Sequence, residues 1–578
     1  MKKVCRNPWC KAAFEVTDAD LVLLDKLSPE IGGTKFPLPP PTLCFSCRLQ
    51  RRMAFYNSRT LYKNTCAKTG ASVISVYSPD KPFAVYATDT WYADGWDPFA
   101  YGRDMDFKRP FFEQFRALME KVPMPNIAVL SGNQNSEYTN DNYNTKNSYL
   151  VFDGERAENC YHGHTYTAVK DCMDFLHLMR CELCYESIHC YDCYGLRYAR
   201  YCRNCSDAWF LRDCTACRHC FGCANLRQKQ FCIFNEQKSK AEYETFIAAF
   251  RSSQHSVTTE MRERCEQFFL SQPVKAMRGE QNENSTGDNL HQCKDVHWDF
   301  DCNEHRETRY CTNCLLGARD CMDVHVWGDN MELTYENCAV GAQARGVIGC
   351  YYVTEGVDNI FHSIWCSRGS RNLFGCIGLR HRQHCVLNKQ YSKEEYEKLA
   401  ARIIEHMKDT GEWGEFFPPS ISMFGYNETM AQSFFPLEKA DARAHGFQWS
   451  DYQSAPEAKK IVQAAQLPDD SSTVPDDILN WAIECEVTKR PFKIIRQELD
   501  FYRAYKLPIP RRHPDQRHAD RFLHKNPYRL WSRWCAKCKK EIETSYAPER
   551  PAVRGSEEPS GSQGEIVYCE ECYLKEVY

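Results

Sequence analysis

"CYHGHTYTAVKDCMDFLHLMRCELCYESIHCYDCYGLRYARYCRNCSDAWFLRDCTACRHCFGC" runs from Cys160 to Cys223, and cysteine keeps time in it. Cys160, Cys181, Cys202 and Cys223 lie 21 residues apart, and so do Cys172, Cys193 and Cys214. Two interleaved ladders with one period call for a repeating backbone coil. Asp171, Asp192 and Asp213 each precede a ladder cysteine. A 21-residue coil fits one turn of a parallel β-helix, with Asp at a corner bonding the turning backbone. Helical repeats are longer, 33 residues or more.

The block then returns. "CFGCANLRQKQFCIFNEQKSKAEYE" from Cys220 reappears as "LFGCIGLRHRQHCVLNKQYSKEEYE" from Leu373, and "DCMDF" at Asp171 as "DCMDV" at Asp320. Ser239 with Glu242, and Ser392 with Glu395, write capping boxes for a helix closing each half. Free cysteine is a small apolar residue, so packing is the first reading of the central thiols. Metal or cluster binding through pairs such as Cys181/Cys184 and Cys202/Cys205 is the second, and disulfides the third.

The two ends are copies of each other. Phe14 matches Phe492, Pro37-Leu38-Pro39 matches Pro508-Ile509-Pro510, Arg48 matches Arg517, and Arg52 matches Arg521. "YSPDKPFAVY" at Tyr77 echoes "YAPERP…IVY" at Tyr546. Each copy keeps a different metal-ligand set. Cys5, Cys10, Cys44 and Cys47 form C-x4-C and C-x2-C pairs in the first. Cys535, Cys538, Cys569 and Cys572 form two C-x2-C pairs in the second. Four soft thiolates suit tetrahedral zinc and leave no open position, which makes both sites structural, about two zinc ions per chain. The matching positions Cys485, Thr488, His513 and Gln516, and Cys66 with Thr69, have lost ligands.

Through Cys5, Cys10, Phe14, Cys44, Cys47 and Arg48 the first copy resembles the zinc-ribbon families of bacteria, over roughly its first 60 residues. The whole layout resembles a family of large cysteine-rich proteins of uncultivated bacteria for which no activity is established. Some of those carry a CoA-transferase label, and no constellation of residues here supports one.

The expected fold is mainly β with α. Its organisation is an N-terminal zinc-ribbon or treble-clef domain over 1–70, an aromatic connector with a helix over 71–133, and a solenoid half over 134–235. A helical cap follows over 236–279, then a second half over 280–390 and a helix with an extended connector over 391–475. A second zinc-finger domain spans 476–578. The stretches 466–478 and 551–565 read as mobile linkers.

The chain has 578 residues and a net charge of −4, which excludes a polycation as a whole. It shows no apolar run fit for a membrane span and no apolar region after Lys2 and Lys3, so a cytoplasmic, reducing location is expected. P-loop, G-x-G-x-x-G, H-E-x-x-H and G-x-S-x-G motifs are absent from the sequence.

Three functions remain. The first is a zinc-binding, non-enzymatic scaffold that presents its repeat surface to a protein partner. The second is RNA or DNA binding through Arg48, Arg51, Arg52, Arg511, Arg512, Arg517, Arg521, Arg529 and Arg533, with Trp531 and Trp534 to stack bases. The third is a polysaccharide-active β-helix enzyme using the Asp171/Asp192/Asp213 column. A column of equals suits corner structure better than an active site, which needs one unique place.

Overall fold

The computed structural model describes residues 1–452, 460–548 and 564–577. The central chain forms two 11-stranded sheets, Val129–Gln237 and Gly279–Gln390, parallel except for the last pairing in each. The overall class is mixed α/β, with a cysteine cluster at each end.

The pairing step corrects the expected period. Tyr149 pairs with Tyr161, Tyr161 with Met173, and Val169 with Cys181, each twelve residues on. Cys181 therefore does not stack on Cys160. The spacing of 21 is real but is seven times three, and three is the deeper period. From Asn144 to Phe234 every third residue has positive φ, and from Cys160 to Cys223 every third residue is buried. All the ladder cysteines share that buried phase but fall at different places in the twelve-residue step. Asp171, Asp192 and Asp213 have positive φ (50, 55 and 54). They form no column: Asn159 lies beside Asp171, and Arg180 beside Asp192.

In the second sheet the step lengthens to thirteen, as in Glu332↔Arg345, Arg345↔Asp358 and Asp358↔Arg371. The added residue falls where two neighbours both take positive φ, at Ala342/Gln343, Glu355/Gly356 and Arg368/Gly369. That insertion explains why the cysteine beat drifts in the second half.

A small inward side chain with a weak donor suits this backbone. Cys172 Sγ lies 3.2 Å from the Lys170 carbonyl, Cys181 Sγ 3.3 Å from Met179 O, and Cys193 Sγ 3.2 Å from Tyr191 O. Ser187 and Ser363 make the same contact two residues back, at 3.1 and 2.9 Å. Cysteine thus fills the interior as an apolar residue whose thiol still meets an acceptor. All 34 cysteines are free thiols.

Both capping boxes form, at Lys240–Ala249 and Lys393–Asp409. The connector helix Phe111–Met119 buries Phe111 and Phe115 against Phe374 and Phe417. Residues 466–478 are ordered, against the linker expectation, with Ser471, Val474 and Ile478 buried. Most of the 551–565 stretch lies outside the described residues. Among those described, no helix is long and apolar enough to cross a membrane.

Candidate metal centres and the arginine anchors

The terminal domains repeat one order of elements. In the first, the hairpin Lys2–Val4/Ala13–Glu15 precedes a docking helix, Phe45–Met53, and a second hairpin, Tyr62–Thr65/Ser72–Ser75. In the second, Trp481–Glu484/Pro491–Phe492 precedes a docking helix, Pro514–Phe522, and the hairpin Trp531–Trp534/Glu541–Thr544. Each then adds a short strand that joins the entry to a sheet. Val85–Tyr86 pairs with Met124–Pro125, and Val567–Tyr568 with Val274–Lys275.

The structure brings together both expected four-cysteine sets, each with its ligand atoms within 4.8 Å of one another. Cys5 and Cys10 flank the turn of the first hairpin, while Cys44 caps the docking helix and Cys47 lies in its first turn. Cys535 and Cys538 occupy the turn of the last hairpin, and Cys569 and Cys572 the start of the helix Glu570–Val577.

One contact recurs. The Cys44 amide lies 3.4 Å from Cys5 Sγ, and the Cys569 amide 3.3 Å from Cys535 Sγ. Cys10 and Cys44 sulfurs stand 3.7 Å apart, and so do those of Cys538 and Cys569. A tetrahedral ion with sulfur ligands at ~2.3 Å sets sulfurs about 3.8 Å apart, whereas a disulfide needs ~2.05 Å. The side chain and amide of Cys47 draw the Cys44 thiol down to about 5. Burial raises the Cys535 thiol, but the amides of Cys538, Cys569 and Lys537 outweigh it and bring it to about 6. One thiol in each set is thus favoured as thiolate, the form that binds metal, while neighbouring thiols of the set are raised. Both sets can hold a metal ion.

The degenerate positions keep the cradle without the ligands. The Ala87 amide meets Cys66 Sγ at 3.2 Å, as the Cys569 amide meets Cys535. The Thr488 amide meets Cys485 Sγ at 3.5 Å.

The arginines need correction. Arg48, Arg51, Arg52, Arg517 and Arg521 are buried and do not face solvent. Arginines three and four apart share one helix face, and here that face meets a sheet. Arg48 Nε and Arg52 Nη2 hold the two oxygens of Asp323 at 2.7 and 2.9 Å. Arg517 and Arg521 hold those of Asp174, Arg521 at 2.9 Å. One pairing step further on, Glu336 takes Arg52 at 2.7 Å and Glu186 takes Arg521 at 3.3 Å. The two anchors are equivalent and crossed: the first domain docks on the second sheet, and the second domain on the first. Burial alone would raise the Asp174 carboxyl, but the guanidinium charges of Arg517 and Arg521 hold it below its usual value.

Of the other arginines, Arg512 pairs with Glu486 and Asp520, and Arg511 approaches Asp469 at 4.0 Å. Arg533 donates to the carbonyls of Ala547 and Glu565. Arg529 lies over Trp531, 5.3 Å from the ring centre. The anchoring carboxylates are the functional residues that sequence reading missed. Their signal was present, since Asp174 and Asp323 are the last acids of the repeated "DCMDF" and "DCMDV".

No family model and no curated protein matches the chain. Among solved structures, a proposed acetyltransferase from Desulfovibrio desulfuricans G20 aligns with 48% of this chain and 81% of its own, at 8% identity and a TM-score of 0.10. A likeness that slight carries no argument about fold or activity.

Proposed function

We propose that the chain is a zinc-clamped double solenoid that acts as a binding scaffold and not as an enzyme. In this reading each sheet is the wall of a parallel β-solenoid with turns of twelve residues, lengthened to thirteen in much of the second half. Constant register, a turn at every third residue and the continuous strand Thr312–Gly341 support winding. The ends are zinc-ribbon or treble-clef domains, a hairpin knuckle joined to a helix start. Closed four-thiolate sets suit structural zinc, and free thiols suit a reducing cytoplasm.

The observation that carries the reading is the crossed pair of buried arginine anchors. Groups that would otherwise face a nucleic acid lock each terminal domain to the opposite half. One register column of the first half stays outward in part, with Lys146, Glu158, Lys170, Glu182, Tyr194, Ser206 and Arg218 paired in turn. Its exposed aromatic is Tyr194. We take a protein to be the partner. A photo-crosslinking residue at Tyr194 or Lys170 should give one discrete adduct in the source cell. Absence of any adduct, together with a polysaccharide-cleaving activity lost on replacing one of Asp171, Asp192 or Asp213, would sink the scaffold reading.

The nucleic-acid reading now rests on Arg529 against Trp531 and on the exposed Trp534. It requires affinity for RNA or DNA that falls steeply with salt and is lost in Arg529→Glu.

A further inference from the structure

One stretch of the second sheet departs from its counterpart. Asp299, Cys302, His305 and Thr308 are consecutive third positions, all fully buried. Counting back from the matched Phe175 and Val324 through their pairing steps, the same places in the first half hold Val151, Gly154, Ala157 and Cys160. The flanking inward residues are Leu290, Cys293 and Val296 on one side, and Cys311, Cys314 and Ala318 on the other. A carboxyl and an imidazole in such surroundings are costly to bury, and packing alone does not call for them.

The bonding is lopsided. Asp299 is satisfied: it accepts from Thr308 Oγ1 at 2.6 Å and the Cys311 amide at 2.9 Å, and it meets His305 Nδ1 at 2.9 Å. The other ring nitrogen, His305 Nε2, is buried without an oxygen or nitrogen partner, and the imidazole lies against the Cys302 thiol. Asp299, Cys302 and His305 bring ligand atoms within 4.8 Å of one another; Cys314, the register partner of Cys302, stands outside that set, and its thiol meets the Cys302 thiol. A carboxylate that fixes one imidazole nitrogen and leaves the other bare is the usual support of a metal-bound histidine.

We propose that His305 Nε2, Cys302 Sγ and Cys314 Sγ bind one soft d10 cation, Zn²⁺ or Cu⁺, inside the second half, with Asp299 as the positioning residue. Nitrogen with two thiolates selects these ions over Mg²⁺ or Ca²⁺. Binding releases the two thiol protons to solvent. The site shares no ligand with the terminal clusters, so it stands or falls apart from the scaffold reading.

The test is metal content per chain by elemental analysis, with X-ray absorption at the edge of the metal found, on the full chain purified under reducing conditions. His305→Ala should remove one equivalent and all imidazole scattering, while Cys44→Ser should remove a different equivalent and leave that scattering. The element lost in His305→Ala distinguishes zinc from copper. Equal metal content in the wild type and His305→Ala, or no imidazole at the edge, overturns the site. Should His305→Ala not fold, Asp299→Asn decides by chelator competition. A drop in affinity of about 10–100-fold is expected, and unchanged affinity overturns the proposal.

Discussion

The first terminal domain put its metal set under the docking helix, while the second put it at the far end and capped the docking helix with protein alone. Where Cys44 and Cys47 stand in one, His513 and Gln516 stand in the other, and His513 Nδ1 accepts from the Asp515 amide at 3.1 Å. Conversely, Cys66 keeps its amide contact while the strand after it is held by Met124–Pro125. The difference teaches that neither metal position is obligatory to the plan. The crossed arginine anchors hold both docking helices in place, and a strand pairing holds the far end of both domains, with or without a four-cysteine set there.

Breaking each metal set is the sharpest probe of that comparison. A structural four-thiolate site is worth roughly 10 kcal/mol or more in metal binding. Cys44→Ser and Cys569→Ser should each lose one equivalent of metal. Because Cys44 caps the docking helix itself, its loss should open the first domain to proteolysis at Lys2, Lys3 and Arg6. Cys569→Ser should expose only the last hairpin, at Lys537, Lys539 and Lys540. Identical digestion patterns would show that the two sets do the same work.

The anchors come next. Removing one partner of a buried ion pair costs about 3–5 kcal/mol, since it strands the opposite charge. Asp174→Ala should cost more than Asp323→Ala in denaturant melts. Glu336 still holds Arg52 at 2.7 Å after the second change, whereas Glu186 and Glu498 lie 3.3 and 3.7 Å from their arginines after the first. Acid should mimic the first change. The Asp174 carboxyl is held low, so its contribution is present above the unfolded value of ~3.9 and disappears as pH falls through the lower folded value. Equal costs for the two variants would refute the asymmetry.

Much of this was legible in the sequence, and what was not has physical causes. Cysteine pairs at ligand spacing are a local signal, so both four-cysteine clusters could be read from the chain. The duplication was readable because "DCMDF" and "DCMDV" sit at equivalent places. The pairing step was not, because 21 and 12 share the factor three. Inward residues keep their phase at every third position, and the eye follows the identical cysteines from one place in the step to another. Arg48 and Arg517 could not be told from surface arginines, since their partners lie 275 and 343 residues away. A basic helix face reads as solvated until the opposing carboxylate is placed.

The two halves differ more gently at His362, which stands where the first half has Phe210. It packs among Phe111, Phe112, Phe374, Trp413 and Phe417, and burial there pushes its imidazole down to about 3. A histidine kept neutral contributes stability that is present above its unfolded pKa of ~6.5 and is lost as pH falls from there toward the folded value. The loss runs at about 1.4 kcal/mol per pH unit. His362→Phe should remove that slope between pH 6 and 4 in the second half. An unchanged slope would place the acid sensitivity elsewhere.

The smallest expected effect lies at the matching turns of Asn159 and Glu307. In the first half Asn159 donates to Asp171 at 2.9 Å, an uncharged neighbour beside a carboxylate. In the second half two acids, Glu307 and Asp320, meet at that place, and Lys26 of the first domain bridges them at 3.2 and 2.6 Å. Lys26 is half-exposed, so its pairs are screened and are worth about 0.2–1 kcal/mol. Lys26→Met should cost about that much by leaving two carboxylates together. In a Glu307→Asn background, which copies the first half, the same change should cost less, because the introduced amide can donate to Asp320. The double-mutant cycle measures the difference directly. A coupling energy of zero would mean that Lys26 holds the domain through Asp320 alone, and that the two halves solve this turn independently of the side chain at Glu307.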